Sequence, residues 1–198
     1  LVLGAGVGKA IAYFLLHHCE SETEFISIAD QDDTQARTTL MRAFGNDRWD
    51  RIVESQRLEV VLFCAWTRYK KGALKDWFRQ YDVIVSALPA CYNVGLAREA
   101  IAAGAHFCDL GGVNKVTRNI LTLDRQAKKM GVTIIPDCGL MPGLGIVLAR
   151  DILDHLDQTH TLTIYVGGIP QFPKPPIYYK RMFSLEGLTH QCYDRVPV

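Results

Sequence analysis

The first eight residues, Leu1-Val-Leu-Gly-Ala-Gly-Val-Gly8, constrain the fold more than any other segment. A short apolar stub, Leu1–Leu3, runs into three glycines and then into a helical pattern over Ala10–Cys19, with Ile11, Phe14, Leu15 and His18 on one face. A strand, a glycine turn and a helix in that order open a parallel α/β sheet. Gly4 suits the tight turn, and Gly6 lets the backbone come close to a bound group. The first N–H groups of the helix then face an anion such as a pyrophosphate. A second strand, Phe25–Ala29, ends beside Asp30, 22 residues past Gly8. That is close to the roughly 20 residues expected for a carboxylate that binds a ribose 2′-hydroxyl. Asp30 has a plainer alternative as a capping or loop acid, but the strand and glycine context favours the ribose role. Gln31, Asp32 and Asp33 follow, with no Arg or Lys to meet a 2′-phosphate, which favours NAD over NADP.

One spacing departs from the pattern. G-x-G-x-x-G would put its third small residue at Lys9, too bulky for a close helix–strand contact, and the glycine stands one place early at Gly8. Either the loop is a shortened variant or a residue is missing from it.

The rest of the chain alternates strands with helices, which predicts a doubly wound parallel Rossmann sheet, followed by the start of a second α+β domain. Asp32 or Asp33 caps a helix to Phe44, a polar stretch over Gly45–Arg57 lies on the surface, and Leu58–Ala65 is a third strand. Leu74–Gln80 is a short helix, Asp82–Ala87 a fourth strand, and Val94–Ala103 a helix closed by Gly104. A fifth strand, His106–Leu110, precedes a helix over Thr117–Met130 and a sixth strand, Val132–Pro136. Beyond it Pro142 opens a helix to about Leu156, and Thr161–Val166 is another strand. The boundary falls near Asp137–Gly143. Residues 1–141 form the dinucleotide-binding domain, and 142–198 a linking helix with an incomplete substrate and dimerisation domain.

In such sheets ligands lie beyond the carboxyl ends of the strands. Three ends carry unusual residues: Ser86-Ala-Leu-Pro89, Asp109-Leu-Gly-Gly112 and Asp137-Cys-Gly-Leu-Met-Pro-Gly143. Taken singly, Asp109 and Asp137 read equally as caps or as functional carboxylates; their coincidence favours function. The candidate cofactor residues are Gly4, Gly6, Val7, Gly8, Asp30, Ala87, Leu88, Pro89 and Gly111, and the candidate catalytic residues Asp137 and Asp109. Cys138 stands before a helix, where a reactive thiol is conceivable, but a buried inert one is the simpler reading.

Composition excludes more than it specifies. A net charge of +1 gives no broad field for nucleic acid or an anionic membrane. The basic stretch Arg68-Tyr-Lys-Lys71 with Lys75 and Arg79 is interleaved with Trp77, Phe78 and Tyr81, and reads as an amphipathic helix rather than a nucleic-acid patch. No apolar run has the length of a membrane span, and glycines interrupt the opening stretch at once, unlike a signal peptide. The six cysteines form no C-x-x-C pair and the histidines no zinc spacing, so reduced thiols in a cytoplasmic protein without a metal site are expected. The short first strand and the unclosed end at Val198 read as a fragment of a larger protein.

The chain resembles the saccharopine dehydrogenase-like family, most closely its lysine 6-dehydrogenase branch. The resemblance is carried by the Gly4 loop, Asp82–Pro89, Asp109–Gly112, Gly131–Asp137, Gly139–Gly143, Tyr165–Pro170, Pro173–Pro176 and Phe183–Leu188, in the family's order. It implies an N-terminal NAD(P) domain, a C-terminal domain that closes over the substrate, and a homodimer when full length. The implied reaction is oxidation of an amine carbon, with lysine going to 2-aminoadipate 6-semialdehyde and hydride to NAD. A reductive condensation enzyme of saccharopine or carboxynorspermidine type is the alternative. A nucleotide-binding regulatory protein without catalysis is the reading from another class, favoured only by the displaced third glycine.

Overall fold

The computed structural model describes residues 1–64, 74–168 and 170–179. Among them six strands form one fully parallel sheet: β1 (Val2–Leu3), β2 (Ile26–Asp30), β3 (Leu58–Leu62), β4 (Val83–Ser86), β5 (His106–Asp109) and β6 (Ile134–Ile135). Their order across the sheet is β3-β2-β1-β4-β5-β6. The direction of winding therefore reverses at β1, between β2 and β4, as the Rossmann expectation requires.

Successive strand residues point to opposite faces, and β1 shows what that does here. Val2 joins a cluster with Ile28, Ala12, Leu16, Leu40 and Phe44, while Leu3 joins one with Ile84, Leu96, Phe107 and Ile120. The first cluster is covered by α1 (Ala5–His18), α2 (Asp33–Phe44) and, at its edge, α3 (Asn46–Glu54). The second is covered by α4 (Lys75–Phe78), α5 (Asn93–Ala103), α6 (Asn114–Leu121) and α7 (Asp124–Met130). A strand covered on both faces needs a near-continuous apolar run, which is what Ile26-Ser-Ile-Ala supplies in β2. Asp32 caps α2, its carboxylate accepting the Gln35 amide at 2.8 Å, and Gly104 closes α5.

Several elements differ from the sequence reading. Helix α1 begins at Ala5 rather than Ala10, and its buried side is Ala5, Gly8, Ala12 and Leu16. The predicted face is not the core face: Phe14 is 56% exposed. Small residues face the sheet because α1 lies close upon it, and the bulky ones flank the contact. The polar stretch after Gly45 forms α3, which buries none of its residues but leans Trp49 and Ile52 on the core. The single helix expected over Thr117–Met130 is two, broken at Thr122, whose hydroxyl donates to the Asn119 carbonyl at 2.7 Å. The break turns Ile120, Leu123 and Ala127 all toward the core. Pro142 precedes α8 (Leu144–Asp154) instead of sitting in its first turn. Residues 161–166 form no strand, and Tyr165 is 93% exposed. Alternation makes a strand only where a neighbouring strand or face receives it. The basic residues Arg68–Lys71, Ala65, Cys192 and the Phe183–Leu188 motif lie outside the described residues.

Candidate functional site

The site lies where β1, β4 and β5 leave the sheet. Leu3 pairs with Ser86 and Ser86 with Asp109, so the three strands end at one level. The glycine turn, the Ala87–Pro89 segment and the Leu110–Gly112 segment therefore emerge side by side.

At β1 the chain turns at Gly4, whose φ of +94° suits a residue without a side chain. A Cβ there would lie 3.0 Å from the Ala87 carbonyl oxygen and 3.2 Å from Leu88, so the glycine brings the β1 and β4 turns into contact. Helix α1 starts at the next residue. Its first amide, that of Ala5, donates to Asp30 Oδ2 at 2.7 Å, and Asp30 Oδ1 accepts the Asp32 amide at 3.3 Å. The acid predicted to face a ribose thus also caps the neighbouring helix, and it stays half-buried at the rim of the turn. The amides of Gly6 and Val7 belong to the same first turn and have no helical carbonyl behind them. Both residues are exposed, and a Cβ on Gly6 would meet nothing within 4 Å. This turn fits the pyrophosphate of a dinucleotide: two outward amides, the positive pole of α1, and open space over a glycine.

Gly8 has a different place. It is buried on the sheet-facing side of α1, where a Cβ would lie 2.7 Å from Val2 Cγ1. The close helix–strand contact that the third small residue normally makes is made here one position early. Because α1 starts directly after Gly4, Gly8 is the residue that turns toward β1, and Lys9 does not have to fit there. Pro89 is exposed and leads into a short turn over Ala90–Tyr92.

The second group of residues gathers at β5 and β6. Asp109 is 1% exposed. Its Oδ1 accepts the Gly111 amide at 2.6 Å and the Asp137 amide at 3.3 Å, while Oδ2 is buried without a hydrogen-bond partner. Burial raises its carboxyl above the usual range; the two amides pull it down and the nearby Asp137 charge pushes it up. Asp137 is half-buried and has a φ of +63°, an uncommon conformation for a residue with a side chain. Its Oδ1 accepts the Thr117 hydroxyl at 2.9 Å. Gly111, at φ +71°, packs so tightly that a Cβ would collide with the Asp137 carboxylate and lie 2.8 Å from its Cα. The Cys138 amide donates to the Asp109 carbonyl at 2.7 Å, which ties the two loops together again. Cys138 is exposed rather than buried as expected, yet its thiol contacts the Ile135 carbonyl at 3.3 Å. Desolvation and the charges of Asp109 and Asp137 raise its pKa, so little thiolate forms at neutral pH.

Sequence reasoning had no signal for Thr117 or for the buried pair in which Ser86 Oγ donates to Asn93 Oδ1 at 2.7 Å. Both depend on partners reached only through the fold. Among the described residues no three His, Cys, Asp or Glu side chains gather as metal ligands, and no helix is long and apolar enough to cross a membrane.

Comparison with known proteins agrees with this geometry. A solved structure of apo saccharopine dehydrogenase (L-Glu forming) from Saccharomyces cerevisiae superposes with a TM-score of 0.56 at 17% identity, over 78% of this chain and 30% of that one. Alpha-aminoadipic semialdehyde synthase of Arabidopsis thaliana is 29% identical over 141 residues, covering 68% of this chain and 12% of the plant protein. Saccharopine dehydrogenase [NADP(+), L-glutamate-forming] of Pyricularia oryzae is 24% identical over 123 residues, 59% of this chain and 27% of the fungal one. The chain thus spans a small part of the relatives it matches. The family model of the saccharopine dehydrogenase NADP binding domain matches residues 1–135. Its description names NADP, so the comparison supports a nicotinamide dinucleotide without the preference for NAD expected from Asp30. With its Rossmann strand order, its glycine turn and this match, the chain belongs to the saccharopine dehydrogenase NADP-binding domain family, a family of NAD(P)-binding oxidoreductases.

Proposed function

We propose that this chain is the dinucleotide-binding part of an enzyme that oxidises an amine carbon of lysine or of a lysine-derived secondary amine. One observation supports this above the others: a dinucleotide turn at β1 stands level with two carboxylates at the ends of β5 and β6. When bound, the nicotinamide supplies the hydride acceptor. The Gly6 and Val7 amides hold the pyrophosphate, Asp30 offers its remaining lone pairs to ribose hydroxyls, and Ala87, Leu88, Pro89 and Gly111 wall the site. Asp137 pairs with the substrate ammonium, and Asp109 supports it from within. The ammonium first gives up a proton to Asp137 or to water. The freed nitrogen lone pair then forms the C=N bond as hydride leaves the amine carbon. Water splits the imine to the aldehyde and ammonia, or to the aldehyde and the released amine where the substrate is a secondary amine.

Two substrates remain within this reading. Lysine, oxidised with NAD to 2-aminoadipate 6-semialdehyde, follows from the motif pattern; saccharopine is favoured by the names of the relatives. The regulatory reading rested on the displaced glycine, and Gly8 packing against Val2 removes that ground. We further propose that residues 142–198 begin a substrate and dimerisation domain linked through α8, and that the protein works as a homodimer in the cytoplasm.

The complete polypeptide, assayed with lysine and with saccharopine against NAD and NADP, tests the reading. Turnover of one amine is expected, with kcat/KM for NAD at least about tenfold above NADP, since a charge-assisted hydrogen bond contributes roughly 1.5–3 kcal/mol. Asp137→Asn should cut amine turnover and spare NADH binding. No turnover of either amine would refute the enzyme reading, and equal use of NADP would refute the role of Asp30.

A further inference from the structure

Half-buried Asp137 is held at its backbone and at its side chain. From the backbone side, Asp109 Oδ1 accepts the Asp137 amide together with that of Gly111 and fixes the left-handed turn. From the side-chain side, Thr117 on α6 reaches Asp137 Oδ1 at 2.9 Å. The Thr117 hydroxyl also lies 3.4 Å from the Val113 carbonyl, but it has one proton, and the shorter bond to a carboxylate takes it. Oδ2 of Asp137 makes no hydrogen bond to any described residue.

We infer that Thr117 is a positioning residue: its hydroxyl selects the Asp137 rotamer, so that one carboxylate oxygen is anchored and the other is presented to a cationic amine. Asp109 is the matching backbone anchor and, being buried, acts through Asp137 rather than on the substrate. The catalytic side of this inference rests on the amine-oxidation reading above; the conformational side does not. Thr117→Val keeps the shape and the β-branch but deletes the donor, whereas Thr117→Ser keeps the donor.

The test uses the complete polypeptide in three forms: wild type, Thr117→Val and Thr117→Ser. Crystal structures report the Asp137 rotamer directly. The carboxylate is expected to leave its wild-type position in Thr117→Val and to keep it in Thr117→Ser. In the amine assay Thr117→Val should raise KM for the amine about five- to twentyfold with little change in kcat, leave the NADH Kd within about twofold, and be rescued by serine. An unchanged rotamer in Thr117→Val, or a serine variant that fails to restore it, overturns the inference. If the wild type turns over neither lysine nor saccharopine, the enzyme reading fails while the rotamer comparison still decides this one.

Discussion

The sheet region, residues 1–135, and the segment from Leu140 to Tyr179 are both rich in apolar side chains, but they point them in opposite directions. In the sheet, Leu3, Ile28, Ile84, Phe78 and Phe107 are at most 1% exposed. In the later segment Leu140, Val147, Ile152, Tyr165 and Phe172 are between 56% and 93% exposed, and α8 buries only Ala149. The lesson is that an apolar pattern produces a core only when a second layer is there to receive it. The central strands β1 and β2 contribute side chains to helix-covered clusters on both faces, whereas α8 has the right residues and little to pack them against among the described elements.

That contrast should be largest in stability. Phe107→Ala is expected to cost about 3–5 kcal/mol in urea unfolding, as buried aromatics do. Val147→Ser, at a position 64% exposed, should change stability by no more than about 0.5 kcal/mol. Equal losses would erase the distinction between the two regions.

The thiol of Cys108, in β5, gives the next effect. Burial pushes its pKa up to about 11, with the charges of Cys138 and Asp109 adding to the rise. At pH 8 its thiolate population, and so its alkylation by iodoacetamide, should be about 100-fold below that of an ordinary cysteine, and should climb tenfold per pH unit. The linkage has a definite sign. Between pH 9 and about 11 the folded state holds a proton that the unfolded chain has released, so stability falls as pH rises through that window. Rapid labelling of Cys108 at pH 8, read by peptide mass, would show that β5 is not closed.

Two glycines of one helix give a smaller contrast. Gly8→Ala forces a methyl group against Val2 and should cost about 1–3 kcal/mol. Gly6→Ala meets open space and should leave stability unchanged or raise it by up to about 1 kcal/mol. A tolerated Gly8→Ala would mean that the early glycine does not make the close contact.

The smallest effect concerns His17, against Tyr13 at 4.3 Å between ring centroids, its Nε2 buried without a partner. Desolvation, helped by Arg48 and His18, lowers its pKa below 6.5. The unfolded chain therefore takes up the proton first, and stability is lost as pH falls below 6.5. Thermal melts between pH 7 and 5 should show a shallower decline in His17→Gln, and identical slopes would count against a desolvated ring.

The sequence by itself determined the doubly wound parallel fold class, the glycine turn, Asp30 at the end of β2 and the acids at the ends of β5 and β6. Those features are local: alternation, glycine spacing and strand-terminal position are written in neighbouring residues, and parallel connections leave few ways to join them. The tertiary structure decided the rest. It set which side of α1 is buried, because close packing selects Gly8 and Ala12 over Phe14. It denied a strand to residues 161–166, where alternation found no partner. And it separated two acids that look alike in the chain: Asp109 lies 1% exposed beneath two amides, while Asp137 stands half-buried against a hydroxyl 20 residues away. How open each carboxylate is depends on burial and on partners brought in from other elements, and neither is a property of local sequence.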